Sequence, residues 1–339
     1  MTDAVRVEHL KKSYGSVKAV EDVSFNVQKG EIFALLGPNG AGKTTTIRCL
    51  CSLSKPDAGL VEIEGISVIQ TPKQARALLG YVAQEVALDK ILTGRELLEL
   101  QCDLYHLPKA QSRSRIAELI NMLGLEDYQD RQTGTYSGGL KKRLDLAAGL
   151  AHHPKVLVLD EPTVGLDIES RKIIWELLTK IAQDGTTVLL SSHYLEEVDA
   201  LANRLVIIDK GKVIASGSPN QLKQKVGGDR VTLKIREFTP LEEVNIAKNH
   251  LKDLPFVEEA IINTAQGNSL NLVIKSQPNA LSQIEQSLSE IGLPIFSLAQ
   301  SRPSLDDVYL AATGQTLLDA EIESSSSRDI KSEKKMQMK

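Results

Sequence analysis

Residues 4–30 alternate apolar and polar side chains with a period of two. Val5-Arg-Val7 comes first, then Ala19-Val-Glu-Asp-Val-Ser-Phe-Asn-Val27, closed by Lys29-Gly30. That period puts one set of side chains on each face and predicts antiparallel strands. Between them Lys12-Ser-Tyr14-Gly15 marks a turn. Leu60-Val-Glu-Ile-Glu-Gly65, after Pro56-Asp-Ala-Gly59, continues the strand pattern. A different pattern then recurs: short runs with no polar face. Glu31-Ile-Phe-Ala-Leu-Leu36, Leu78-Leu-Gly-Tyr-Val-Ala83, Val156-Leu-Val-Leu159 and Thr186-Thr-Val-Leu-Leu-Ser191 are such runs. They read as buried strands of a parallel sheet, Val156–Leu159 central among them. Leu205 to Gly217 reads as a hairpin turning at Lys210-Gly211.

Spacings of three and four replace the alternation over residues 93–132. Glu96-Leu-Leu-Glu-Leu-Gln-Cys-Asp-Leu and Arg115-Ile-Ala-Glu-Leu-Ile-Asn-Met-Leu predict helices inserted between the sheet-forming halves. Thr44–Cys51 and Ile173–Ala182 also read as helices. Beyond residue 228 the order changes again. Val231–Ile235, Phe256–Asn263, Ser269–Ile274 and Pro294–Leu298 read as strands, with helices at 240–251 and 279–292. The order β-α-β-β-α-β is the ferredoxin-like pattern. A helix from Ser304 to Ala312 closes it. Residues 321–339 are polar and serine-rich, as in a disordered tail.

Composition narrows the partners. The chain has 339 residues, 42% of them apolar, and a formal charge of only −4, so no broad basic surface for nucleic acid is expected. Three cysteines, Cys49, Cys51 and Cys102, are too few for a disulfide framework and suit a reducing cytosol. No apolar run approaches the roughly 18 residues of a membrane span, and no apolar signal segment opens the chain. The expectation is a chain that neither crosses a membrane nor leaves the cell.

The chemistry concentrates after the apolar runs. Gly37-Pro38-Asn39-Gly40-Ala41-Gly42-Lys43-Thr44-Thr45 fits Gly-x-x-x-x-Gly-Lys-[Ser/Thr] between a strand and a helix. Its glycines permit close approach of the backbone, and its N–H groups converge with the helix N-terminus on one anion-binding volume. Lys43 adds a full charge for β- and γ-phosphates, and the Thr44 hydroxyl suits Mg²⁺. Tyr136-Ser137-Gly138-Gly139-Leu140 opens a second helix, capped by Ser137 and followed by Lys141, Lys142 and Arg143. It is a second N-terminus prepared for an anion. Two acids, Asp160 and Glu161, end the run at Val156. Lys43, Gln84, Asp160 with Glu161, and His193 each fall just past an apolar strand. In a parallel α/β sheet those ends share one edge, so the four positions should meet around one phosphate chain.

These motifs together resemble the ATP-binding subunit of an ABC transporter over residues 1–225. The wording Tyr-Ser-Gly-Gly, then Lys-Lys-Arg-Leu-Asp-Leu-Ala, is similar to the daunorubicin-resistance branch of export ATPases. Where the family commonly has Gln after the two glycines, this chain has Leu140. The resemblance implies an α/β P-loop NTPase with an antiparallel β subdomain, a helical subdomain at about 86–152, and a C-terminal α+β ferredoxin-like domain at 226–315. A disordered tail would follow at 316–339.

The resemblance also implies roles. Tyr14 would stack on adenine. Asp160, with Thr44, would hold Mg²⁺, and Gln84 would contact the metal and the attacking water. Glu161 would be the general base or polarise that water, and His193 would contact the γ-phosphate. Asp167 would communicate across a dimer. Ser137, Gly138 and Gly139 would bind the γ-phosphate of ATP held by a second ATP-binding subunit, as in a homodimer. A separate transmembrane permease chain would be the other partner, at the cytosolic face of the membrane. The alternative is a soluble ABC ATPase acting on ribosomes or DNA. Against it stand the single ATP-binding unit and the absence of a long heptad region. A regulator without turnover is disfavoured by the intact Glu161 and His193.

Overall fold

The computed structural model describes residues 3–264, 267–275 and 277–323. The chain separates into two compact units, Met1–Pro219 and Asn220–Lys339, so the division falls before residue 220 and not at the expected 226.

In the first unit β1 (Asp3–Tyr14) and β2 (Val17–Gln28) pair antiparallel, with Val5 opposite Val27 and Val7 opposite Phe25. Both strands are longer than the alternation predicted: β1 runs to Tyr14, and the turn is confined to Gly15-Ser16. β4 (Ala58–Ile63) and the short β5 (Ile66–Ser67) extend this antiparallel part. The apolar runs form the parallel part. They are β3 (Ile32–Leu36), β6 (Leu79–Val82), β7 (Val156–Asp160) and β8 (Thr187–Ser192). With the hairpin β9 (Arg204–Asp209) and β10 (Lys212–Gly217) they complete a ten-stranded sheet, ordered β5-β4-β1-β2-β10-β9-β3-β8-β7-β6. Every residue of β3, β7 and β8 is buried, which is why these strands carry no alternation. Because β3, β8, β7 and β6 are parallel neighbours, their C-terminal ends lie on one edge.

Helices link these strands. α1 (Lys43–Leu50) follows β3, and α2 (Pro72–Ala77), which the sequence pattern missed, begins with a proline in its first turn. The insertion holds α3 (Gly94–Leu104), α4 (Lys109–Met122) and α5 (Gly138–Leu150). Thr93 and Glu96 close a capping box on α3. α6 (Ile168–Gln183) and α7 (Leu195–Leu201) flank β8, and α8 (Pro219–Val226) follows the hairpin.

In the second unit β11 (Asp229–Lys234), β12 (Val257–Asn263), β13 (Ser269–Ile274) and β14 (Ser297–Ser301) form an antiparallel sheet ordered β12-β13-β11-β14. α9 (Leu241–Lys252) and α10 (Ala280–Glu290) cover one face through Val244, Leu251, Ile284 and Leu288. This is the ferredoxin-like arrangement. β14 starts three residues later than Pro294 suggested. Proline has no N–H to give a ladder, and the register is set by Lys234 opposite Ser297. α11 (Leu305–Thr313) is capped by Ser304 and Asp307, and Arg230 of β11 reaches Asp307 at 3.0 Å. No disordered segment is found at 317–323, where the tail was expected to have begun. Residues 317–323 form a further helix, α12. Thr316 and Asp319 cap it, and Leu317 and Ala320 are buried. The rest of the expected tail, 324–339, lies outside the described residues.

Candidate active site

The loop between β3 and α1 is shaped by what it cannot hold. Gly42 has φ +109°, and a Cβ there would stand 2.5 Å from the Ala19 carbonyl oxygen. Gly42→Ala is therefore expected to destabilise the chain by roughly 1–3 kcal/mol and to weaken nucleotide binding, checked by thermal unfolding and titration. Lys43, almost fully buried, donates from Nζ to the carbonyls of Gly37 (2.7 Å) and Pro38 (3.1 Å). Asn39, Gly40 and Thr44 are exposed; Ala41 is buried and Thr45 half-buried.

Glu161 is the centre of the sheet edge. Its backbone takes φ +48°, a left-handed geometry unfavourable for a side chain that long and typical of functional positions. Its carboxylate meets three of the groups expected here. Lys43 Nζ is 3.4 Å from Oε1. Gln84 Nε2 donates to Oε2 at 3.2 Å. His193 Nδ1 lies 3.3 Å from Oε2. Burial alone would raise the Glu161 pKa, but His193 and Lys43 outweigh it and hold the group below its ordinary value. It is thus an anion at neutral pH.

Asp160 is built for another purpose. Its Oδ1 accepts from Ser191 Oγ (2.6 Å) and Thr44 Oγ1 (3.2 Å). Burial, joined by the neighbouring Glu161 charge, holds its carboxyl above the ordinary value, although those two bonds and Lys43 pull it down. The Thr44 hydroxyl and the Asp160 carboxylate are hard oxygen donors, the set that suits Mg²⁺. Among the described residues no group of three or more His, Cys, Asp or Glu is placed to hold a metal ion.

A second group lies at two helix N-termini. Ser137 caps α5 by accepting from Leu140 N–H, and Asp167 caps α6 by accepting from Ser170 N–H. The two caps are adjacent: a Cβ on Gly139 would lie 2.5 Å from Ser170 Oγ, and one on Gly138 3.8 Å from Leu166. Among the described residues no hydrogen bond or ion pair joins Ser137 or Asp167 to Glu161. Tyr14 is 48% exposed, its hydroxyl shared with Ser54 at 3.1 Å and its ring 5.4 Å from Lys12 Nζ.

Three basic residues after Gly139 were expected to support the anion site. Two are committed elsewhere. Arg143 donates to the Leu123 and Gly124 carbonyls at the end of α4, and Lys142 turns inward onto the Ala83 carbonyl. Sequence reasoning also missed Ser191, which bridges Asp160 and the Glu161 N–H. It missed Glu197, fully buried, which accepts from Thr163 Oγ1 and Trp175 Nε1. Only the parallel register, Asp160 opposite Ser191, would have pointed to the first.

A phosphate loop and an ionised carboxylate on one sheet edge define a nucleotide-hydrolysing P-loop protein, and the helical insertion opening on Ser-Gly-Gly marks the ATP-binding cassette class. Comparison with known proteins agrees. Residues 20–164 match the ABC transporter family, and residues 217–313 match the C-terminal domain of DrrA1-3-like ATP-binding proteins. The daunorubicin resistance ATP-binding protein DrrA2 of Streptomyces coeruleorubidus is 39% identical over 319 residues, covering 92% of this chain and 95% of that protein. The linearmycin resistance ATP-binding protein LnrL of Bacillus subtilis is 33% identical, covering 93% and 100%. A solved dimeric ATP-binding cassette in a post-hydrolysis state with ADP and phosphate is similar, with TM-score 0.58 and 28% identity over 63% of this chain and 98% of that one. The chain belongs to the family of ATP-binding subunits of ABC export transporters. It binds and hydrolyses ATP, and such subunits dimerise and work with a transmembrane partner. No helix among its described residues is long and apolar enough to cross a membrane.

Proposed function

We propose that this chain is the motor of a drug exporter, acting as a pair on the cytosolic face of the membrane beside a separate permease chain. The observation that carries this reading is the gathering of Lys43, Gln84 and His193 on Glu161, while Ser137 and Asp167 cap α5 and α6. One chain thus presents a hydrolytic half-site and, elsewhere, a helix N-terminus fit for an anion. A two-fold pair would bring the second copy's Ser137–Gly139 turn to each triphosphate and complete both sites together.

Within each site the loop from Gly37 to Thr45 and Lys43 bind the phosphates, and Tyr14 offers its exposed ring to adenine. Thr44, Asp160 and, through its amide oxygen, Gln84 would hold Mg²⁺, which neutralises charge on the phosphates. Glu161 takes the proton of the attacking water, or polarises it, while Gln84 orients that water. His193 lies beside the carboxylate, placed to contact the γ-phosphate. Asp167 carries the state of one site to the other. ATP favours the closed pair because two surfaces share its charge, and hydrolysis removes that bias.

Against the helical insertion lies a recess of about 290 Å³ lined by Tyr81, Gln101, Tyr105, Asp145 and Ala148 among others. Strand and helices meet there, which suits a short segment of the permease. Light scattering with ATP and Mg²⁺ tests the paired site: a dimer is expected, and a monomer throughout would refute it. Deleting 228–339 is expected to weaken dimerisation or recovery of the permease from membranes. If dimer formation, ATPase rate and permease recovery all stay unchanged, the second unit is only an appendage.

A further inference from the structure

β6 ends at Val82, the last residue paired with β7. The carbonyl of Ala83 therefore lies past the sheet ladder and needs another donor. That donor is Lys142, whose Nζ reaches the Ala83 oxygen at 2.9 Å. Ala83 immediately precedes Gln84, and Gln84 Nε2 donates to Glu161. Lys142 lies on α5, just over one turn from Ser137.

The choice of residue is costly. Lys142 is 3% exposed, and burial pulls its pKa down. Its nearest carboxylate, Asp145, is one turn further along α5, 3.9 Å away, and burial pushes that group up to about 6. The pair is therefore a poor source of stability, since desolvation offsets most of its attraction. What the arrangement does supply is a mechanical link. The peptide that opens the loop carrying Gln84 is fastened to the helix of the Ser-Gly-Gly turn.

We infer that Lys142 is a positioning residue that couples the two halves of the shared site. It ties the loop carrying Gln84 to α5, so that engagement of α5 on the second copy's phosphate is passed to Gln84, which already meets Glu161 at 3.2 Å. This rests on the paired-site reading above and adds to it a route inside one chain.

The test uses the purified full-length chain and three variants: Lys142→Met, which keeps the length and removes the donor, Lys142→Arg, which keeps donor and charge, and Gln84→Ala. Lys142→Met is expected to lower kcat about tenfold while KM and the Kd for a fluorescent ATP analogue stay within about twofold. Lys142→Arg restores most of the rate. Combined with Gln84→Ala, Lys142→Met adds little further loss, because both act through one group. An unchanged kcat, a loss confined to KM, or losses that multiply in the double variant would each overturn the inference. If Lys142→Met does not fold, Lys142→Gln, which keeps an N–H donor, takes its place with the same criteria at a smaller expected loss. Glu161→Gln separates the two levels. If its turnover stays within about tenfold of the parent, the reading of the site fails; if it falls further and Lys142→Met is normal, only the coupling fails.

Discussion

Glu161→Gln should leave ATP affinity within about threefold and lower turnover by about 10²- to 10⁴-fold. The substitution keeps the size and shape of the side chain and removes its charge. The lost charge is the one that Lys43 and His193 both face, at 3.4 and 3.3 Å, and that they keep ionised despite burial. A carboxylate held below its ordinary pKa is unprotonated at neutral pH and available to take a proton. An amide in its place cannot take one. The phosphate loop and the Thr44–Asp160 pair are untouched, so binding survives. ATP that binds without being cleaved should trap the closed pair, so light scattering should show the variant accumulating as an ATP-bound dimer. Turnover within tenfold of the parent would remove Glu161 from the centre of the mechanism.

The strands that place this residue were legible because burial on both faces leaves an unmistakable run. Val156–Leu159 and Glu31–Leu36 show no alternation, and they became β7 and β3 with every residue buried. The convergence of Lys43, Gln84, Glu161 and His193 was legible for the same reason: strand ends of a parallel sheet share an edge. What the sequence could not carry is register and direction. Ser191 matters because it lies opposite Asp160 across two parallel strands, 31 residues away in the chain. Lys142 sits in a basic triplet whose composition says anion, yet its helical phase turns it inward to Ala83. The start of β14 depended on pairing with β11, and α12 on a capping box and a buried leucine too short a signal to stand out beside a polar tail.

Lys43→Ala should weaken ATP binding by about 10- to 100-fold and leave only a small residual hydrolysis, as read by titration with a fluorescent analogue and by phosphate release. A charge-assisted hydrogen bond contributes about 1.5–3 kcal/mol, and each 1.4 kcal/mol is about a factor of ten in affinity. The effect differs in kind from that of Glu161→Gln, which spares binding. It also reaches the carboxylate. Lys43 is one of the two side chains that hold the Glu161 carboxyl down, so its removal leaves burial opposed by His193 alone and raises the Glu161 pKa. Residual turnover in the variant should then shift its acid limb to higher pH, because a larger share of Glu161 is protonated at any given pH. The Gly37 and Pro38 carbonyls also lose their shared donor, so the loop loses order together with charge. Unchanged affinity would mean that the phosphates bind elsewhere, and the shared site would have to be placed anew.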